Sequence, residues 1–136
     1  MKNIPVLTFA VLIVLTLTAC ATGATEPKLE GTTWELVKID EQLPLADTSI
    51  TLKLEDGQAG GNAGCNSYGA TYEIDGDALT LGEIMSTMMY CQAEGVMDQE
   101  TAYLLFLSQV RSYAIIDGAL YLSQADGRQL KFIPQK

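Results

Sequence analysis

Apolar and polar residues alternate in several short stretches of the chain, as they do in half-buried β-strands. The alternation is clear in residues 34–39 and again in residues 49–55. Residues 58–64 contain too many glycines to predict a strand, and residues 83–90 fit either a strand or irregular structure. Further short strands are predicted at residues 70–74, 78–81, 112–116, 119–123 and 129–133.

Residues 94–110 follow a different pattern, because they lack proline and carry apolar groups at helical spacing. We expect a helix that begins near Asp98, whose side chain would cap it, and that runs to about Val110. The positions on which the spacing rests are Met97, Leu104, Leu105 and Ser108.

About eight short strands and one helix, with frequent turn signals, predict a mainly β (α+β) domain. We expect a small antiparallel β-barrel or a strongly curled sheet, with the helix covering one end or one edge. The tight hairpins that such a sheet needs are indicated by Asp-Gly pairs, which favour positive φ angles. These pairs are Asp56-Gly57, Asp117-Gly118 and Asp126-Gly127.

The first twenty residues resemble the leader of a bacterial lipoprotein. The apolar run after Lys2 has about twelve residues, which suits a signal-peptide core and is short of the roughly 20 that span a membrane. It ends in Leu-Thr-Ala-Cys, which resembles a lipobox, so residues 1–19 are predicted to be removed and Cys20 to be lipidated. Residues 20–28 would form a flexible tether to a domain at residues 29–134. An ordinary signal peptide with a chance cysteine is the alternative.

The balance of charge argues against nucleic acid as a partner. The chain has 17 acidic and 8 basic residues and a formal charge of −9, which loss of Lys2 with the leader shifts by one unit, to −10. The other basic residues are scattered, so nucleic acid and anionic lipid should be repelled. We therefore expect membrane attachment through acyl chains at Cys20. Ala21 after the lipidated cysteine favours the periplasmic, inner face of the outer membrane.

The chain contains no histidine. This absence removes Ser-His-Asp and Cys-His catalysis, histidine general bases and histidine metal ligands together. The sequence predicts no catalytic residue, no metal site and no cofactor.

Cys65 lies in a glycine-rich stretch and has three candidate roles. A nucleophilic thiolate needs a nearby base or cation, but no basic residue lies between Lys53 and Arg111. An anion-binding loop would need a cationic partner and a phosphate-loop spacing, and both are missing. Because lipid takes the first cysteine and the compartment is oxidising, a disulfide between Cys65 and Cys91 is predicted, with two free thiols as the alternative.

Several separated motifs occur in one order along the chain. They are Gly64, Cys65, Asn66, Tyr68 and Tyr72, then Thr87, Met88 and Cys91, with an opening at residues 29–34 and a closing motif at residues 126–132. Together they resemble the META domain of HslJ-like proteins over about residues 29–134. The resemblance implies a small β-rich, barrel-like fold with a helix, often on an exported lipoprotein, and a link to the stress response. It implies no catalytic residue.

One departure from the family pattern concerns the spacing of the two motif tyrosines. Gly69 directly follows Tyr68, and Ala70 and Thr71 precede Tyr72, which we expect to reshape the turn locally without threatening the fold.

Other conspicuous residues have structural interpretations. Asn66 is expected to hydrogen-bond backbone in a turn rather than to contact a ligand. Asp75 and Asp77 lack the further oxygens of a calcium loop, so a turn is predicted there. For the methionines, core packing is favoured over an adaptable binding surface or an oxidation target. These methionines are Met85, Met88, Met89 and Met97.

Three functional hypotheses follow. The first is a non-enzymatic, lipid-anchored envelope protein with a binding or stress-response role in the periplasm, whose partner is an envelope protein. The second is a carrier that holds a small apolar ligand or acyl chain inside the barrel. The third, an enzyme that uses acidic residues, has the least support.

Overall fold

The structure, a computed structural model, describes residues 25–136. The predicted leader, the lipidation site at Cys20 and residues 21–24 of the tether lie outside the described residues. The elements are β1 (Thr33–Ile39), β2 (Thr51–Glu55), β3 (Gln58–Asn62), β4 (Ser67–Asp75), β5 (Ala78–Leu81), β6 (Met85–Ser86), α1 (Val96–Ser108), β7 (Val110–Ile116), β8 (Ala119–Gln124) and β9 (Gln129–Pro134).

Eight of the strands close an antiparallel barrel. Their order is β3-β2-β1-β9-β8-β7-β5-β4, and pairing of β3 with β4 closes the ring. The short strand β6 pairs with the first residues of β4, and β5 pairs with the last residues of β4. The two strands therefore lie one after the other along the same side of β4. This confirms the predicted mainly β fold, a barrel with one helix.

Strand β3 shows that the expectation for residues 58–64 was wrong. Its glycines are required because neighbouring backbone approaches them closely: a Cβ on Gly61 would lie 2.1 Å from the carbonyl oxygen of Thr51, and one on Gly60 would lie 2.8 Å from that of Tyr68. The steric requirement, which only the folded barrel creates, therefore outweighs the low β-propensity of glycine.

The strand directions give the barrel two distinct ends. The tether end carries residues 25–32, the turns at 56–57, 76–77 and 117–118, and the C-terminus. The helix end carries residues 40–50, 63–66, 82–95 and 125–128 together with α1. The helix thus closes the end of the barrel that lies opposite the entry of the chain.

Helix α1 differs from its prediction in its start and in its buried face. It begins at Val96 after Gly95, which has a φ of 78°, whereas Asp98 lies inside the first turn, where its charge suits the helix dipole. Leu105 is 58% exposed, contrary to the predicted spacing. The predicted face was wrong because the true face mixes apolar and polar groups: Val96, Glu100, Tyr103, Phe106 and Leu107.

Packed side chains fill the interior of the barrel. Trp34 is fully buried, and its Nε1 donates a hydrogen bond to the carbonyl oxygen of Leu29 at 3.0 Å, which fastens the incoming chain to the tether end. The largest fully buried side chains are Trp34, Tyr103, Phe106, Phe132, Ile50, Leu52, Leu54, Leu79, Leu107, Leu120, Leu122 and Leu130. Within residues 25–136, no helix is both long enough and apolar enough to cross a membrane.

Replacing a glycine of β3 tests whether the close backbone approach requires glycine. Gly61→Ala should lower the free energy of unfolding by about 1–3 kcal/mol, since the new Cβ would overlap the Thr51 carbonyl. Gly69→Ala on the paired strand is the control, because its Cβ would meet nothing closer than 3.8 Å. Urea unfolding followed by circular dichroism measures both, and equal stability of the two variants would contradict the close approach.

Candidate functional site

The motif around Cys65 forms a tight connection between β3 and β4 at the helix end. Gly64 has a φ of 111°, which favours glycine, and its N–H donates to Oδ1 of Asn62 at 2.7 Å. The N–H of Ala63 donates to the carbonyl oxygen of Asn66 at 2.7 Å. The turn is therefore held by its own main chain and by one side-chain amide.

The buried carboxylate of Glu100 on α1 binds this turn. Its Oε2 accepts hydrogen bonds from the main-chain N–H groups of Cys65 at 3.1 Å and Asn66 at 2.6 Å, and its Oε1 accepts one from Nδ2 of Asn66 at 2.7 Å. Glu100 is 5% exposed. Sequence reasoning missed this residue, although it lies four positions after Val96 and three before Tyr103, on the buried face of the helix.

Asn66 uses the rest of its amide to hold the chain that follows β6. Its Nδ2 donates to the carbonyl oxygen of Met89 at 3.0 Å, and its Oδ1 accepts from the N–H of Met89 at 2.7 Å and from Oγ1 of Thr87 at 2.8 Å. The side chain thus pairs with Met89 as a strand backbone would. Its full set of hydrogen bonds supports the structural role expected for Asn66.

A disulfide joins Cys65 to Cys91, 26 residues apart in sequence. It lies beside Asn66 and Thr87, so one cluster at the helix end brings together both halves of the motif recognised in the sequence. The thiol of Cys65 is consumed by this bond and cannot act as a nucleophile while the bond is intact.

The two motif tyrosines fasten different parts of the barrel. The hydroxyl of Tyr68 donates to the carbonyl oxygen of Thr51 at 2.9 Å and lies 2.7 Å from the hydroxyl of Tyr103 on α1, with the two rings in an edge-on contact. Burial raises the pKa of both hydroxyls well above the ordinary value, so both stay neutral. Tyr72 donates to the Glu30 carboxylate at the tether end, and its pKa is raised by burial and then by this bond.

The methionines that follow β5 are not in the core, and the prediction of core packing was wrong for them. We call residues 85–90 the methionine loop: Met85 is 72% exposed, Met88 98%, Met89 59% and Tyr90 80%. Asn66 and the disulfide hold the main chain of this loop, which turns its side chains outward. Met97 is only partly buried, and its sulfur accepts the N–H of Cys91 at 3.5 Å.

A groove lies beside the N-terminal half of α1. We call it the helix groove: a volume of about 660 Å³ between residues 39–45 and the first turns of the helix. Gln99 connects its two walls, since its Oε1 accepts the N–H of Leu45 at 2.6 Å and its Nε2 donates to Oγ1 of Thr48 at 3.0 Å. The lining includes Ile39, Leu43, Leu45, Gln99, Ala102 and Arg128.

The remaining acidic candidates lie at a hairpin turn. Asp75 is the last residue of β4, Asp77 lies in the predicted turn that follows, and both are exposed. In the part of the chain that the structure describes, no three His, Cys, Asp or Glu side chains are grouped so that they could hold a metal ion. Over the same residues, every buried side-chain nitrogen or oxygen has a hydrogen-bond partner.

These features define a small, closed antiparallel β-barrel with one helix over an end and a disulfide beside that helix. The family model of the META domain matches residues 27–136, and the chain belongs to this family. An NMR structure of a protein from Burkholderia xenovorans is similar, with a TM-score of 0.64 and 27% identity over 79% of this chain and 84% of that chain. A second NMR structure has a TM-score of 0.64 and 15% identity, over 78% and 91% of the two chains, and shows the fold alone. Comparison with curated protein sequences gave no match.

Converting the central amide to a carboxylate tests the role of Asn66. Asn66→Asp removes the donor to Glu100 and places two carboxylates together, so the free energy of unfolding at neutral pH should fall by about 2–4 kcal/mol.

The matched control for this change is Asn62→Asp. Asn62 is partly buried in the same turn and uses its side-chain oxygen as an acceptor for Gly64, a role that a carboxylate keeps. Urea unfolding at neutral pH compares the two variants. A deficit that is the same for both would contradict the central role of Asn66.

Reduction of the disulfide should lower the free energy of unfolding by about 3–4 kcal/mol, the chain-entropy value for closing a loop of this length. Unfolding with and without reductant measures the difference, and the double variant Cys65→Ala/Cys91→Ala should not respond to reductant. Peptide mapping under non-reducing conditions should recover Cys65 linked to Cys91. Recovery of both as free thiols from intact cells would refute the bond in the cell.

Proposed function

We propose that this protein is a non-enzymatic, lipid-anchored envelope protein that binds a partner with the helix end of its barrel, in the periplasm and as part of a stress response. The observation that carries the proposal is the separation of two features. The chain enters the barrel at the tether end, whereas most exposed apolar side chains lie at the helix end.

The tether end is suited to face a membrane through a short connection. Buried Leu29 lies nine positions after Cys20, so the domain would stay within about 30 Å of its anchor. The hairpins at this end carry four aspartates, of which Asp75 ends β4 and Asp56, Asp77 and Asp117 lie in the turns. Their charges would keep this end from resting on anionic lipid, so attachment would depend on the acyl chains.

The helix end carries the exposed apolar surface. Of the ten large apolar side chains that are exposed in residues 25–136, six lie on two loops of this end. Exposed apolar residues concentrated in one region mark interaction sites more often than scattered ones do. The six are Leu43, Leu45, Met85, Met88, Met89 and Tyr90.

The carrier hypothesis has less support. Large side chains such as Trp34, Phe106 and Phe132 are fully buried in the interior, at the positions that an acyl chain would need. The helix groove is open to solvent at the end of the barrel. The lack of histidine and the Cys65–Cys91 bond also favour a binding protein over an enzyme.

The anchor and the binding end are tested together in the intact cell. Mass spectrometry of the mature protein should show an acylated Cys20, and Cys20→Ser should release the protein from the membrane fraction. A photo-reactive amino acid at Met88 should cross-link to an envelope protein, more strongly after heat stress. The same group at Ile116, which is 54% exposed at the tether end, should not. An unmodified N-terminus would refute the anchor, and equal cross-linking from both ends would refute the binding end.

A further inference from the structure

We propose that the helix groove binds a cationic amphipathic peptide, with apolar side chains against its leucines and Lys or Arg side chains on the carboxylates at its rim. The inference rests on the proposed function, since it assigns a partner class to one surface of the helix end. It is carried by the shape, the rigidity and the charge of the groove.

The apolar part of the groove is exposed and large enough to hold a peptide segment. Leu43 is 78% exposed and Leu45 40% exposed, and both line the groove with Ile39 and Ala102. The volume of about 660 Å³ lies within the usual range for ligand sites, roughly 300–1,000 Å³. An apolar side chain that entered it would remove leucine surface from water, which is the main source of affinity in such contacts.

Internal contacts hold the walls of the groove in place. Two reciprocal main-chain hydrogen bonds of 2.9 Å between Ile39 and Gln42 close the turn that forms one wall. Gln99 fastens Leu45 to the helix, and Leu45 packs over Gly95, where a Cβ would come within 3.2 Å of its Cδ1. Binding would therefore cost little loop ordering, which leaves more of the contact energy as affinity.

The charges around the groove favour a cation. The one basic residue of the lining, Arg128, is already paired: its Nε donates to Oδ2 of Asp40 at 3.1 Å, and its guanidinium lies over the ring of Phe106. The other charged residues of the lining are two exposed carboxylates, Glu41 and Asp98. Glu41 accepts a hydrogen bond from Nζ of Lys38 at 3.2 Å in a solvent-exposed pair, which is worth little, and Asp98 makes no ion pair within residues 25–136. An anionic ligand would be repelled by this rim and by the net charge of the whole chain.

The same observations disfavour other occupants of the groove. A second copy of the chain would bring an equal negative charge, and an anionic lipid surface would be repelled in the same way. A compact inorganic cation would leave the leucines exposed and would find no cluster of three ligands in residues 25–136. A peptide that alternates apolar and basic side chains satisfies both the wall and the rim.

The test uses the full lipidated protein in nanodiscs of neutral phosphatidylcholine, with empty nanodiscs subtracted. The probe is a fluorescent 12-residue peptide of leucine and lysine, and fluorescence anisotropy measures its affinity. Two matched peptides carry glutamate in place of lysine or serine in place of leucine. We expect binding of the leucine–lysine peptide alone, weakening as salt is added because charge supplies part of the attraction.

Variants then locate the site. Leu43→Ser should weaken binding by about tenfold or more, as loss of a contact residue does, and Asp98→Asn by about threefold with a smaller salt dependence. The controls are Leu105→Ser, which alters an exposed leucine of α1 outside the groove, and Asp75→Asn at the tether end. Both should bind like the unaltered protein.

Three results would overturn the peptide assignment: no binding above empty nanodiscs, equal binding of the glutamate peptide, or unchanged affinity of Leu43→Ser. None of these results would change the expected acylation of Cys20 or the expected cross-linking from Met88. Failure of this inference is therefore distinguishable from failure of the proposed function.

Discussion

The buried carboxylate of Glu100 is the contact on which the helix end of this barrel depends. A charged group removed from water is costly unless hydrogen bonds compensate it, and here three donors do so, two of them main-chain N–H groups of the β3–β4 turn. The Glu100 carboxylate on the helix and the two main-chain N–H groups of the turn are hydrogen-bonded only when the helix and the turn are in contact. The helix end must therefore assemble as a unit, with Asn66 carrying the same constraint to Met89.

Both surfaces considered for binding follow from this unit. Because Glu100 fixes the first half of α1, Gln99 on the adjoining face is in place to bond Leu45, and the helix groove forms between them. Because Asn66 holds both main-chain polar groups of Met89, the methionine loop keeps its shape with its apolar side chains in solvent. A structural motif without free chemical groups thus determines where the exposed apolar side chains lie.

The sequence predicted what local pattern controls and failed where distant contacts decide. Strand β5 was predicted with its observed bounds, because alternation and the turn at residues 76–77 are local signals. The Cys65–Cys91 bond was predicted on the assumption that lipid occupies Cys20, with two free thiols as the alternative. The buried face of α1 was misread because Glu100 and Tyr103 are polar, and their partners, Asn66 and Tyr68, lie more than thirty residues away. The predictions for the glycines of β3 and for the exposed methionines were wrong for the same reason, because both depend on contacts between residues far apart in sequence.

The opposed ends of the barrel also separate two electrostatic requirements that would otherwise conflict. An acidic domain that attracts a cationic partner is repelled by an anionic membrane, and both effects fade over a Debye length of about 8 Å at physiological salt. The nine residues of β4 run between the two ends, and nine strand residues span about 30 Å. In the proposed orientation the helix groove therefore lies several Debye lengths from the lipid headgroups. In that orientation its carboxylates would attract a cation without competition from the bilayer, and the tether end would bear the repulsion that the proposed acyl chains overcome.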